Sequence, residues 1–385
     1  MKKLFSSTIS KLIIAVIIGI LLGLIANEGF MNIVVTVKYI LGQIIFFMVP
    51  LIILGFVSYS IAKMKDNASK MLGLALAIAY LSSIGAAFFA MGTGYTLIPH
   101  LSIEPVKEGL QQLPPLVFRL DIPPVVSVMT ALVLAIMIGL ATVWTKSVLF
   151  ENLLDNFQKM VLLLINRILI PLLPYFIAAS FCALSYEGAI TKQLPIFLGV
   201  MVIVILSQFI WLTFLYVLAG AISKKNPWLV LKYYGPAYLT AVGTMSSAAT
   251  LAVALKCAKK SPVLKDDVID FAVPLFSNIH LCGSILTEVF FVMTVSLMLY
   301  GTLPSISIMV LFIILLGIFA IGAPGVPGGT VIASLGIVIS VLGFDEAGTA
   351  LLLTIFALQD SFGTACNITG DGALTLIMST ASKSA

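Results

Sequence analysis

Charge is what this chain lacks. Of its 385 residues only 10% are Asp, Glu, Lys or Arg, while 61% are hydrophobic and the mean hydropathy is +1.17. A soluble domain carries roughly 25% charged residues. So few charges cannot cover so apolar a surface, which excludes a soluble globular fold and predicts a chain that crosses a membrane many times. Paired cysteines are missing too. Cys182, Cys257, Cys282 and Cys366 stand far apart in apolar segments, with no CxxC and no metal-ligand spacing. Cys182 and Cys257 read as small buried hydrophobes. The net charge of +5 is not gathered into a nucleic-acid patch. No nucleophile–base pair or phosphate-binding loop stands out, so neither enzymatic chemistry nor a cofactor is expected. The first apolar run has the length of a span and no small-residue cleavage site follows it, so no cleavable signal peptide is expected.

What is present is a series of long apolar runs. A spanning helix needs about 20 apolar residues. Spans are expected at 9–26, 33–62, 71–98, 124–145, 158–184, 194–221, 268–299 and 347–380. Basic residues orient them. Lys2, Lys3 and Lys11 precede the first span. Lys63, Lys65 and Lys70 follow the second, Lys146 the fourth, and Lys224, Lys225 and Lys232 the sixth. The other loops are poorer, with Lys107, Arg119 and Lys192. Both termini are therefore expected in the cytoplasm.

Two further apolar stretches break at their middles. Residues 227–259 have Lys224, Lys225, Lys256, Lys259, Lys260 and Lys265 at their two ends, so both ends are cytoplasmic and the segment must dip in and return. Its turn is MSSAAT, 245–250. Residues 304–344 have no basic flank and turn at GAPGVPGG, 322–329, from the opposite side. There Gly322, Pro324, Gly325, Pro327, Gly328 and Gly329 remove helical hydrogen bonds. Backbone of this kind is tolerated at membrane depth where it lines a cavity, and paired interruptions point to a transporter binding site. The competing reading is a Gly/Pro-rich external loop, but its flanks are too apolar for water. Ser246 and Ser247 can offer hydroxyls to a carboxylate, or be small residues for helix packing.

The last span carries Asp360, Asn367 and Asp371 at spacings of seven and four, hence on one helical face. A charge at mid-bilayer costs about 2.5–3.5 kcal/mol on the lenient scale. No Lys or Arg in the segment offsets it, so a substrate amine or a monovalent cation is the expected partner. In the seventh span, Asn278, His280, Ser284 and Glu288 interrupt an apolar run. The spacing of four puts His280, Ser284 and Glu288 on one face. A membrane His or Glu can carry protons, though a lone buried His can equally be a satisfied core residue.

These features together resemble the dicarboxylate/amino acid:cation symporter family, the glutamate transporter fold. The likeness covers the whole chain, including MVPLIILGF (48–56), and is most specific in the C-terminal half. It implies an all-α membrane protein of eight transmembrane helices with two opposed re-entrant hairpins. By the resemblance, 1–70 holds scaffold helices 1 and 2, and 71–123 the third helix and its loop on the transport side. Residues 124–226 hold scaffold helices 4 and 5 with helix 6. A transport core occupies 227–385, with hairpin 1 (227–259), helix 7 (268–299), hairpin 2 (304–344) and helix 8 (347–380). The family also implies a homotrimer in the lipid bilayer, here a bacterial inner membrane. Position by position, Ser246, Ser247, Val326, Pro327, Gly328, Asp360, Gly363, Thr364 and Asn367 stand at the substrate. Asp360 matches the residue that binds the amino group. Asn367, Asp371, Asn278 and Phe276 stand at cation positions, so that transport is expected to need a cation at Asp371.

The departures carry information. Members that take acidic substrates have an arginine three residues after the first aspartate; here it is Gly363. A small neutral amino acid is therefore expected, with a dicarboxylate or acidic amino acid as the alternative. The family's NMDGT is HLCGS, 280–284, so that His280 replaces an asparagine and Cys282 a sodium-binding aspartate. Glu288 stands where animal glutamate transporters carry a glutamate assigned to proton movement. Coupling to sodium, to protons through Glu288 or His280, or to both is expected. A substrate sensor or uncoupled channel on the same fold is the rival from another class.

Overall fold

A computed structural model describes residues 8–62, 69–101, 112–126, 128–188, 190–323, 325 and 327–381. Lys2, Lys3, Lys63, Lys65, Lys107, Pro324 and Val326 of the sequence argument lie outside them. The described residues form α-helices and contain no strand. In order these are α1 (Thr8–Ile25), α2 (Glu28–Ala62), α3 (Ser69–Leu97), α4 (Val128–Thr145), α5 (Val148–Leu164), α6 (Ile170–Tyr186), α7 (Ile190–Ser223), α8 (Trp228–Leu231), α9 (Gly235–Thr244) and α10 (Ser247–Ala258). They continue as α11 (Asp266–Ile279), α12 (Cys282–Tyr300), α13 (Ile306–Gly322), α14 (Gly329–Ser340) and α15 (Glu346–Ala381).

Six helical segments among the described residues are long and apolar enough to cross a membrane: Glu28–Tyr59, Gly73–Leu101, Val148–Tyr186, Ile196–Ser223, Asp266–Tyr300 and Glu346–Thr380. The chain is a multi-pass membrane protein. α1 and α4 are apolar but shorter. The fifth span begins ten residues earlier than expected. α5 opens with an amphipathic turn capped by Ser147, whose hydroxyl accepts from Phe150 N–H, and it continues through a π-turn at Ile165–Leu169 into α6. Polar residues such as Glu151 and Asp155 hid this start from a search for apolar runs.

The seventh span is not one helix. It stops at Ile279, crosses His280 and Leu281 in non-helical conformation, and restarts at Cys282. The expected face is therefore corrected at His280 alone, since Ser284 and Glu288 lie four apart on continuous α12. The spacing argument needs continuous helical geometry, and His280 sits in the break.

The packing falls into two neighbourhoods. α1 lies along α6, and α2 lies along α4, α5 and α6. α15 lies among α7, α9, α11 and α12, with α3 packed on α12 and α13. α11–α12 and α15 are enclosed, with 94% and 89% of their apolar windows buried, against 33–39% for α3, α5–α6 and α7. The enclosed pair holds the polar groups of the last two spans. The outer helices expose Leu, Ile and Phe, as lipid-facing surfaces do.

Candidate functional site

The two interrupted stretches meet at their breaks. α9 ends at Met245, buried and left-handed at φ 53°, and Ser246 opens α10 in extended conformation. The Ser246 hydroxyl accepts from Ala249 N–H at 3.2 Å, a helix cap, and donates to the Gly325 carbonyl at 2.7 Å. Ser247 is buried beside it. On the second stretch Gly328 sits at φ +71°, where a side chain would be strained, and starts α14. Its N–H donates to Asp360 Oδ2 at 2.6 Å, and Thr364, also buried, stands one turn further along α15. Gly325, Gly328, Pro327, Ser246, Ser247, Asp360 and Thr364 thus form one contiguous cluster with α15 at its base. Asp360 is buried, and among the described residues the fully buried polar set contains no Lys or Arg.

Asn367 lies one turn beyond Thr364 and serves the break in the seventh span. Its Oδ1 accepts from Gly283 N–H at 2.7 Å and Ser284 N–H at 3.2 Å, and its Nδ2 donates to Ser284 Oγ at 2.9 Å. These amides belong to the first turn of α12 and would otherwise be orphans in an apolar interior. Asn367 is therefore a cap for a half-helix.

His280 fills the space beside it. Its Nδ1 lies 2.9 Å from Asp371 Oδ1 and its Nε2 lies 2.9 Å from Ser82 Oγ on α3, with His280 and Asp371 fully buried. The pair can share one hydrogen on this line, from Nδ1 to an ionised Asp371 or from a protonated Asp371 to Nδ1. Leu281 N–H reaches Ser83 Oγ at 3.4 Å. The Phe276 carbonyl accepts from His280 N–H at 2.8 Å, and the Phe276 ring stands edge-on to the imidazole. Asn278 is exposed and donates its amide to the Pro274 carbonyl at 2.7 Å, so its side chain is turned away from Asp371's partners.

Glu288 is buried farther along α12, with Ser334 of α14 bonded to its Oε1. It and His280 have different partners and are not one pair. Gly363 faces α12: a Cβ there would lie 3.3–3.4 Å from Ser284 Cα, Oγ and N. Across the same contact a Cβ on Gly283 would lie 2.5 Å from the Gly363 carbonyl. At position 363 the space for a side chain lies against Ser284 of α12. In this conformation its missing side chain lets two helices touch.

Sequence reasoning missed Ser82, Ser83 and Ser334, which complete these contacts, and Gln208 of α7, which donates to Thr287 Oγ1 at 2.8 Å. Single serines in apolar helices carry no signal, because they tolerate lipid and packing equally.

The sequence model of the sodium:dicarboxylate symporter family matches residues 9–381. The chain is similar to excitatory amino acid transporter 1 of Homo sapiens, 28% identical over 203 residues, covering 51% of this chain and 36% of the relative. It is also similar to the protein of that name from Ambystoma tigrinum, 25% identical over 228 residues, covering 58% and 40%. To excitatory amino acid transporter 3 of Mus musculus it is 30% identical over 162 residues, covering 42% and 31%. The chain thus spans two fifths or less of the length of these curated relatives. A match over almost every residue, on a helical architecture with paired interrupted segments, places this chain in the sodium:dicarboxylate symporter family.

Proposed function

We propose that this chain is a cation-coupled secondary transporter of a small amino acid, working by alternating access. The observation that carries the reading is the meeting of both hairpin breaks with one buried carboxylate. Gly328 N–H binds Asp360, and Gly325 C=O binds Ser246. A ligand with an amine would take Asp360, and its carboxylate would find the hydroxyls and amides at the start of α10, where the helix dipole favours negative charge. The two packing neighbourhoods support a division of labour. α1, α2, α4, α5 and α6 would form the scaffold, and α3 with α7 to α15 the moving body. A homotrimer, a bacterial inner membrane and cytoplasmic termini belong to the same proposal and rest on the resemblance and the basic residues.

A neutral substrate is favoured, because the residues that meet at Ser246, Gly325, Gly328 and Asp360 include no Lys or Arg to answer a second carboxylate. The names of the relatives favour an acidic amino acid instead, and a dicarboxylate fits the family description. Counterflow in proteoliposomes tests the proposal: labelled serine, alanine, aspartate and succinate are offered with sodium or choline outside. Exchange of a neutral amino acid is expected. Absence of exchange for all four would end the transporter reading and favour a sensor. Preference for aspartate or succinate would end the neutral one.

A further inference from the structure

The polar core of the seventh and eighth spans contains a site whose occupant is already part of the chain. Resting on the transporter reading above, we infer that His280 is a tethered occupant of the cation position at Asp371, so that this position takes no sodium and any sodium used in the cycle binds elsewhere.

Four observations carry this. First, a hard cation needs several oxygen ligands, and here they are already engaged. Asp371 Oδ1 receives the His280 ring at 2.9 Å. Asn367 Oδ1 accepts two amides, at 2.7 and 3.2 Å. Asp371 Oδ2 is left buried without a partner among the described residues, and one oxygen is not a cation site. Second, Cys282, beside the break, offers a soft thiol in place of a carboxylate.

Third, room has been made for the ring. A Cβ on Gly370 would lie 2.9 Å from His280 Cε1 and 3.3 Å from Cys282 Sγ. Any other residue at 370 would push the imidazole out of its place. Fourth, the ring ties together the elements a bound cation would tie. Through Ser82 it holds α3, through its own backbone the break between α11 and α12, and through Asp371 it holds α15. A cation makes such ties only while bound. The imidazole makes them permanently, at both ring nitrogens, with no exposed surface. The inference concerns occupancy and geometry, and it holds wherever the proton of the pair rests, since the ring stands 2.9 Å from the carboxylate in either case.

The test measures sodium binding directly, apart from transport. The purified full-length protein is unfolded thermally in detergent over a sodium series balanced with choline, since a ligand that binds the folded state raises the midpoint with its concentration. Wild type and Asp371→Asn are compared first. They are expected to share one half-saturating sodium concentration, or to show no sodium response at all. A loss of the wild-type sodium response in Asp371→Asn, or a shift beyond about tenfold, which is about 1.4 kcal/mol, overturns the inference. His280→Asn/Cys282→Asp restores the oxygen donors. It is expected to gain a sodium-dependent rise that wild type lacks, and to lose it again when Asp371→Asn is added. A monodisperse double variant with no gain overturns the inference. If that variant does not fold, the comparison of wild type with Asp371→Asn decides alone. Counterflow on the same preparations keeps the two questions apart: failed exchange speaks against the transporter reading, whereas the sodium response speaks only to this site.

Discussion

Ser246 on the first interrupted stretch and Gly325 on the second are joined by a hydroxyl-to-carbonyl hydrogen bond of 2.7 Å. The same hydroxyl caps α10 through Ala249 N–H. One side chain therefore fixes both the start of a helix and the contact between two hairpin breaks. Ser246→Ala removes both. Loss of such a cap costs about 0.5–2 kcal/mol. The expected result is a lower unfolding midpoint together with faster maleimide labelling of a Gly325→Cys reporter. Ser246→Thr, which keeps the hydroxyl, should restore slow labelling. Equal labelling rates in all three would show that the contact does not hold the breaks together.

The Asp360 carboxylate contacts the second break through Gly328 N–H at 2.6 Å. If it also receives a substrate amine, Asp360→Asn should lose amino acid binding by more than a hundredfold. Breaking a buried charge pair typically costs about 3–5 kcal/mol. The protein should still purify as a folded species, because the asparagine oxygen can accept from Gly328. Isothermal titration with the best counterflow substrate checks this. Native affinity in Asp360→Asn would remove the carboxylate from the recognition scheme.

Much of this arrangement was legible in the sequence because lipid makes polar residues conspicuous. Asp360, Asn367 and Asp371 stood out in an apolar run, and their shared face followed from spacing alone. Both interrupted stretches were found from Gly, Pro and Ser at the middle of apolar runs. The break at His280 and Leu281 was not, because that stretch contains no Gly-Pro signal. It exists because Asn367, far away in sequence, satisfies the amides of Gly283 and Ser284. Long-range capping leaves no local trace. The orientation of Gly363 was hidden for a similar reason: a missing side chain reads the same whether it faces a substrate or a neighbouring helix.

A Cβ at position 363 would press on the Ser284 backbone at 3.3–3.4 Å. Gly363→Arg is expected to lower the unfolding midpoint rather than convert the carrier to acidic substrates. Overpacking of this kind typically costs about 1–3 kcal/mol. Gly363→Ala should show a smaller loss with unchanged substrate preference. A stable Gly363→Arg protein that gains aspartate binding would show that α15 turns enough to point this position at the ligand.

Asn367 caps α12 from outside its own segment, so its removal should be felt in the seventh span. Asn367→Ala leaves the Gly283 and Ser284 amides without an acceptor. Each unsatisfied buried group costs about 1–3 kcal/mol. Hydrogen exchange at residues 282–286 should rise well above wild type, while exchange in the middle of α13 stays unchanged. Uniform loosening across the protein would mean that Asn367 acts on global packing and not as a cap.

Glu288 links α12 to α14 through Ser334, and the atoms at that contact say how it can work. Ser334 has one hydroxyl hydrogen but two acceptors within reach, Glu288 Oε1 and the Val331 carbonyl at 3.0 Å. A protonated Glu288 satisfies both at once: it donates to Ser334 Oγ, and Ser334 donates to Val331. An ionised Glu288 leaves one acceptor unmet and places a buried charge among apolar neighbours, with its Oε2 already unpartnered. A proton released from Glu288 would therefore change the α12–α14 contact at Ser334. Glu288→Gln keeps a donor toward Ser334 and cannot release it. Substrate exchange should persist in this variant, since exchange never returns the empty carrier. Net uptake should lose whatever dependence on external pH the wild type shows. Ser334→Ala should weaken the same dependence without abolishing it. Net uptake by Glu288→Gln measured in proteoliposomes over a pH series decides the matter, and an unchanged pH profile would leave sodium as the coupling ion without a proton through this residue.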